Sequence, residues 1–207
     1  MKYLVSITIG LLLALFSGAQ SNFERTVKEY YRVDPFHGSF SAFVDALTTD
    51  SALLNKQILK QTDTTGFFAR GEYNVFNPFN LDANKVDMIF YENDFIRNGK
   101  RLFNYYTYQL TAYFPDTELT RKAVKKNYNQ LFRKLSKDLH DVNREPLKGV
   151  DGIEDGELAS FSQYATSFAA APALLSWQTL SKTRQLGLTI IVKFRQVDNR
   201  AYPISIR

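Results

Sequence analysis

Asp87, Glu92 and Asp94 lie on or just after one strand-like segment, and carboxylates are the side chains of this sequence best suited to acid–base chemistry. A pair held by neighbouring strands can act on a glycosidic bond, which makes a carboxylate-dependent hydrolase of glycans or another extracytoplasmic substrate the alternative functional reading. A second acidic group, Asp151, Glu154, Asp155 and Glu157, offers oxygen ligands of the kind calcium takes. It does not fit an EF-hand loop, because Ile153 stands where an oxygen ligand is needed at the third position and Ser162 where the twelfth should be Glu.

Other catalytic inventories are missing. There is no cysteine, and His37 and His140 are the only histidines, which excludes a thiolate nucleophile and leaves too few imidazoles for a multi-histidine metal site. The sequence has no G-x-S-x-G elbow, no Walker-type phosphate loop, no G-x-G-x-x-G turn and no H-E-x-x-H pair. His37 sits among turn residues and reads as an exposed imidazole, whereas His140 stands near the C-terminus of a helical pattern, where its charge complements the macrodipole. No metal site and no cofactor is expected.

Two surfaces remain that can bind a ligand. Tyr105, Tyr106, Tyr108 and Tyr113 are spread over both alternating faces of one long strand candidate, so at least one aromatic row can lie on the sheet face away from any helix and stack on a sugar or a peptide. Lys122, Lys126, Arg133 and Lys137 recur at helical spacing and form a cationic stripe that can meet phosphate or an anionic surface.

That stripe belongs to the segment Thr117 to Asn143, which has the longest unbroken helical pattern in the chain. Val124, Tyr128, Leu131, Phe132, Leu135, Leu139 and Val142 fall on one side of it. Asp116 or Thr117 can cap its first turn, and Glu118 faces the positive end of the dipole. Seven basic residues oppose three acidic ones in this segment, an excess of +4 against +5 for the whole chain. Once Lys2 leaves with the signal peptide the mature chain carries +4, so its net charge resides in one helix and elsewhere the charges balance.

Before the helix, Ser39 can cap a short helix carrying Phe40, Phe43, Val44 and Leu47. Phe67 to Phe76 alternates like a half-buried strand, Val86 to Tyr91 is strand-like, and Asn98-Gly99 signals a tight turn into Leu102 to Phe114. After the helix, Arg144 to Glu157 reads as a glycine-punctuated loop and Leu158 to Ala171 as a helix. Leu186 to Phe194 alternates as a strand that returns to the meander, and Asp198-Asn199-Arg200 turns the chain into a last edge segment containing Pro203.

The expected architecture is α+β: an antiparallel sheet of about five strands, covered on one face by the long amphipathic helix and shorter helices.

Residues 1–19 carry the pattern of a cleaved secretory signal peptide, with Lys2, an apolar run from Leu4 to Phe16 and small residues at Ser17-Gly18-Ala19. Residues 20–207 then form a single domain, with no transmembrane span in the mature chain. The product is expected outside the cytoplasm, secreted or periplasmic; the absence of cysteine suits bacterial export better than a disulfide-stapled route, and 14% aromatic residues place the chain in the globular class. The function expected is a non-enzymatic binding or interaction module whose partner is a protein, a glycan or an anionic surface. Export makes nucleic acid an improbable ligand.

Overall fold

The computed structural model describes residues 23–25, 27–59, 66–76, 78–139, 141–147, 150, 152–162 and 171–204. Residues 1–19, His140 and Asp151 lie outside the described residues, and with them the signal-peptide reading and the helix-end role of His140. Residues 23–25 and 27–30 are helical. Next come α1 (Phe40–Thr49), β1 (Leu53–Leu59), β2 (Phe68–Tyr73), β3 (Lys85–Arg97) and β4 (Lys100–Pro115). The chain continues with α2 (Glu118–Asp138), β5 (Asp141–Pro146), β6 (Ile153–Ser162), β7 (Ala173–Leu180), β8 (Gln185–Val197) and β9 (Arg200–Pro203).

Among the described residues nine strands form one antiparallel sheet in the order β1-β2-β3-β4-β8-β7-β6-β5, with β9 added beside β8. A single register row crosses all eight strands of that path: Ile58, Ala69, Phe90, Tyr108, Val192, Ala173, Phe161 and Val142 are successive partners. Its middle members, from Ala69 to Phe161, are at most 1% exposed, while Val142 at one edge is 36% exposed. The core is therefore the central part of one sheet face with the helices laid on it.

The cover is shared. α2 touches β6, β7 and β8, and Phe132 meets Phe161 with ring centroids 5.6 Å apart. The other half of the face is covered by the N-terminal residues and α1. Tyr31 tilts onto Tyr108 at 4.5 Å, Phe40 onto Tyr106 at 4.7 Å, and Phe43 meets Phe90 edge-on at 5.3 Å. Ser39 caps α1 by accepting the Ala42 amide.

The expected sheet of about five strands under one long helix is thus corrected, although the antiparallel α+β arrangement stands. Two segments account for most of the difference. The supposed loop after residue 143 contains the end of β5 and the start of β6, and the supposed helix Leu158 to Ala171 begins inside β6, its residues 163–170 lying outside the described residues. Ala159 and Ser160 have little strand propensity, but both are paired with β5 and with β7, so their backbone groups are satisfied by neighbours and propensity is overridden. α2 also ends earlier than its apolar stripe suggests. Its cap residue Leu139 is extended, with φ −128° and ψ 116°, and Val142 and Asn143 belong to β5. Leu53–Leu59 and Ala173–Leu180 add β1 and β7 to the sheet.

The turn chemistry is as the sequence implies. Asn98 (φ 52°) and Gly99 (φ 72°) both adopt positive φ, the requirement of the turn that matches strand twist, and Asp198 and Asn199 do the same between β8 and β9. Phe194 pairs with Tyr106 on one side and Pro203 on the other, so the proline lies in a short outer strand.

Candidate functional site

α2 sorts its cations by position around the helix. Thr117 caps it by accepting the Thr120 amide at 3.1 Å, and Glu118 and Lys137 stand at the ends that suit their charges. Val124, Tyr128, Leu131 and Leu135 are buried against the sheet. Cations flanking that stripe are consumed by carboxylates. Arg121 donates to Asp116 at 2.5 and 2.7 Å, Lys125 reaches Asp155 at 3.5 Å, and Lys134 pairs with Glu29. Lys125 also lies 4.1 Å over the Trp177 ring and Lys134 5.4 Å over Tyr30.

The outer stripe differs. Lys122, Lys126, Arg133 and Lys137 are all exposed, and they span about 22 Å of helix at 1.5 Å per residue. Lys122 makes an ion pair with Glu118 at 2.7 Å, with both side chains largely in solvent. Among the described residues, Lys126, Arg133 and Lys137 have no ion-pair partner.

The four tyrosines do not share a surface. Tyr106 and Tyr108 point into the core, where Tyr106 stacks on Phe90 at 5.4 Å and Tyr108 is fully buried. Burial, followed by the charge of Glu92, pushes the Tyr106 phenol up to about 12. Burial likewise raises Tyr108 well above the ordinary phenol value. Tyr105 and Tyr113 are half-buried on the opposite sheet face, about 27 Å apart along β4 by strand geometry. Between them on that face run Thr107, Gln109 and Thr111, with Thr111 hydrogen-bonded to Thr189 at 3.0 Å. Lys85 covers the Tyr113 ring at 5.4 Å.

Nor are the carboxylates brought together. Strand alternation puts Asp87 on the face of β3 opposite to Glu92 and Asp94. Asp87 pairs with Lys85 at 3.1 Å and Asp94 with Arg101 at 2.9 Å. Glu92 accepts the Phe67 amide at 3.2 Å and the Asn104 side chain at 2.5 Å. In the second acidic group, Asp155 serves Lys125. Glu157 accepts the Tyr128 hydroxyl at 2.6 Å and pairs with Arg144, and burial followed by this carboxylate raises the Tyr128 phenol strongly. Among the described residues no three His, Asp or Glu side chains converge as a metal site. His37 is exposed in its turn.

Two features escape sequence reasoning. One is a cleft of about 370 Å³ between the N-terminal helical residues and α2, with Tyr30, Phe79, Asn127 and Lys134 in its walls. It is assembled from segments distant in the chain and has no local signature. The other is the tip of the β3–β4 hairpin. β8 pairs with β4 only from Tyr106 onward, so Lys100 to Tyr105 pair with β3 alone. Ile96 and Leu102, near the turn, are 60% and 54% exposed. The cations and apolar residues around Asn98-Gly99 were the available signal.

Fold and surface together define the class: a nine-stranded antiparallel α+β domain, its strands counted among the described residues, with a cationic outer helix face. No protein-family model, no curated protein and no solved structure matches the chain. Among the described residues no helix is long and apolar enough to cross a membrane.

Proposed function

We propose that the protein is an exported, non-enzymatic binding module that associates with an anionic surface through the outer face of α2. The observation that carries this reading is the division of the helix cations. Arg121, Lys125 and Lys134 are each neutralised by a carboxylate, whereas Lys126, Arg133 and Lys137 stand along one exposed stripe with no such partner among the described residues. A stripe of this kind attracts phosphate or other anions in proportion to its uncompensated charge, and the attraction weakens with salt. The leader-like pattern of residues 1–19 supports export, secreted or periplasmic. A binding role also accords with carboxylates that are committed to ion pairs and hydrogen bonds.

The test is retention on heparin and cosedimentation with phosphatidylcholine vesicles containing phosphatidylglycerol, at low and physiological salt. With about 1 kcal/mol per cation near an anionic surface, the triple variant Lys126→Gln, Arg133→Gln, Lys137→Gln should bind roughly a hundredfold more weakly. Lack of binding by the wild type at low salt, or equal binding by the variant, rejects the reading.

A further inference from the structure

We infer that the tip of the β3–β4 hairpin enters a lipid bilayer, so that the anionic surface met by this protein is a phospholipid membrane. This rests on the reading of α2 as an anion-binding face and names its partner.

The hairpin tip combines features that its own stability does not require. β4 from Lys100 to Tyr105 has β3 as its paired neighbour, so this part is a two-stranded ribbon, the least self-sufficient form of sheet. Its base is braced: Phe95 and Phe103 stack at 5.0 Å with planes 10° apart, and the Arg195 guanidinium lies 5.0 Å over the Phe103 ring. Beyond that brace the chain places Ile96 and Leu102 in water. Leu102 is the extra residue of a β-bulge, since Phe95 pairs with Phe103 and Ile96 with Arg101. An irregularity that displaces a leucine at a solvent-facing tip gains nothing from the protein's own core.

Charge surrounds these apolar side chains. Arg97 and Lys100 flank the Asn98-Gly99 turn, are exposed, and have no ion-pair partner among the described residues. Arg101 is held by Asp94. Exposed aliphatic residues ringed by free cations match the boundary of an anionic bilayer, where the former reach the acyl region and the latter stay among phosphates. A soluble polyanion would use the cations and leave Ile96 and Leu102 in water.

The hairpin and α2 are also aligned to act together. α2 begins just after β4 ends, at the opposite end of β4 from the tip, and Phe132 packs on Phe161 in the row that includes Tyr108 and Phe90. Its last turns, with Arg133 and Lys137, therefore run toward the same end of the sheet as the hairpin tip.

The experiment uses a Leu102→Trp protein with vesicles of phosphatidylcholine with and without phosphatidylglycerol. The natural Trp177 is buried beneath Lys125 and provides a constant background. Emission should shift to the blue and be quenched by brominated acyl chains when phosphatidylglycerol is present. In the wild-type background, Ile96→Ser should weaken vesicle binding by about tenfold or more while leaving heparin retention unchanged. Leu102→Ser serves as a second variant, and each must melt as the wild type does.

Cosedimentation with unmoved emission overturns the hairpin proposal and leaves the reading of α2 in place. Heparin retention without vesicle binding does the same and points to a soluble polyanion. Equal loss of heparin and vesicle binding in the Ser variants also overturns it. Absence of both kinds of binding in the wild type rejects the α2 reading and this proposal together.

Discussion

Tyr31 is fastened to Tyr108 twice: the two rings tilt together at 4.5 Å, and the Tyr31 hydroxyl donates to the Tyr108 carbonyl at 3.0 Å. The same hydroxyl lies 3.1 Å from the Ile190 carbonyl, so one N-terminal side chain meets both central strands, β4 and β8. Its phenol is pushed well up by burial. Tyr31→Phe keeps the ring contact and leaves buried carbonyls without this donor. A loss of about 1–3 kcal/mol is expected, read from the urea midpoint at unchanged slope.

Asp50 gives the fold an acid-sensitive clasp. Burial pushes its carboxyl up, but the Ala52 amide, the Arg32 guanidinium and the Tyr73 hydroxyl more than offset this and hold it below the ordinary 3.8. Arg32 donates at 3.0 and 2.9 Å, Ala52 at 3.0 Å and Tyr73 at 3.2 Å. A carboxylate whose pKa is lower in the folded state adds stability above its unfolded value, and that stability disappears as pH falls through the folded value. Urea midpoints should therefore drop below about pH 4, with Asp50→Asn showing a shallower drop and, at neutral pH, a stability lower by about 1.5–3 kcal/mol. An unchanged pH profile in the variant would remove Asp50 from this role.

Two strand glycines separate close backbone approach from mere absence of a side chain. A Cβ at Gly156 would meet the Trp177 carbonyl at 2.6 Å, whereas at Gly187 the nearest atom is a flexible Gln178 side-chain carbon at 3.4 Å. Gly156→Ala should cost about 1–3 kcal/mol by forcing β6 and β7 apart. Gly187→Ala should be neutral or stabilising by about 0.4–1 kcal/mol, because it restricts the unfolded chain without a clash. Thermal melts of the pair give the comparison, and similar losses in both would contradict it.

Local pattern determined a good part of this protein. Alternation in Leu186 to Phe194 and in Leu102 to Phe114 specified β8 and β4, because period-two burial is written in the residues themselves. Asn98-Gly99 and Asp198-Asn199 determined their turns through tolerance of positive φ, Ser39 and Thr117 their caps, and the outer stripe of α2 its exposure. The sequence also placed the net charge in one helix. Tertiary contacts decided the rest. Ala159 and Ser160 became strand only because β5 and β7 satisfy their backbone from both sides, and Val142 left the helical stripe for β5. Which tyrosines turn into the core, which carboxylates are spent on neighbouring cations, and which cations remain free depend on partners far away in the chain. Glu29, paired with Lys134, and Asp155, paired with Lys125, are such partners. Spacing along a helix identifies a cationic face, but only the folded sheet determines which of its charges are already neutralised.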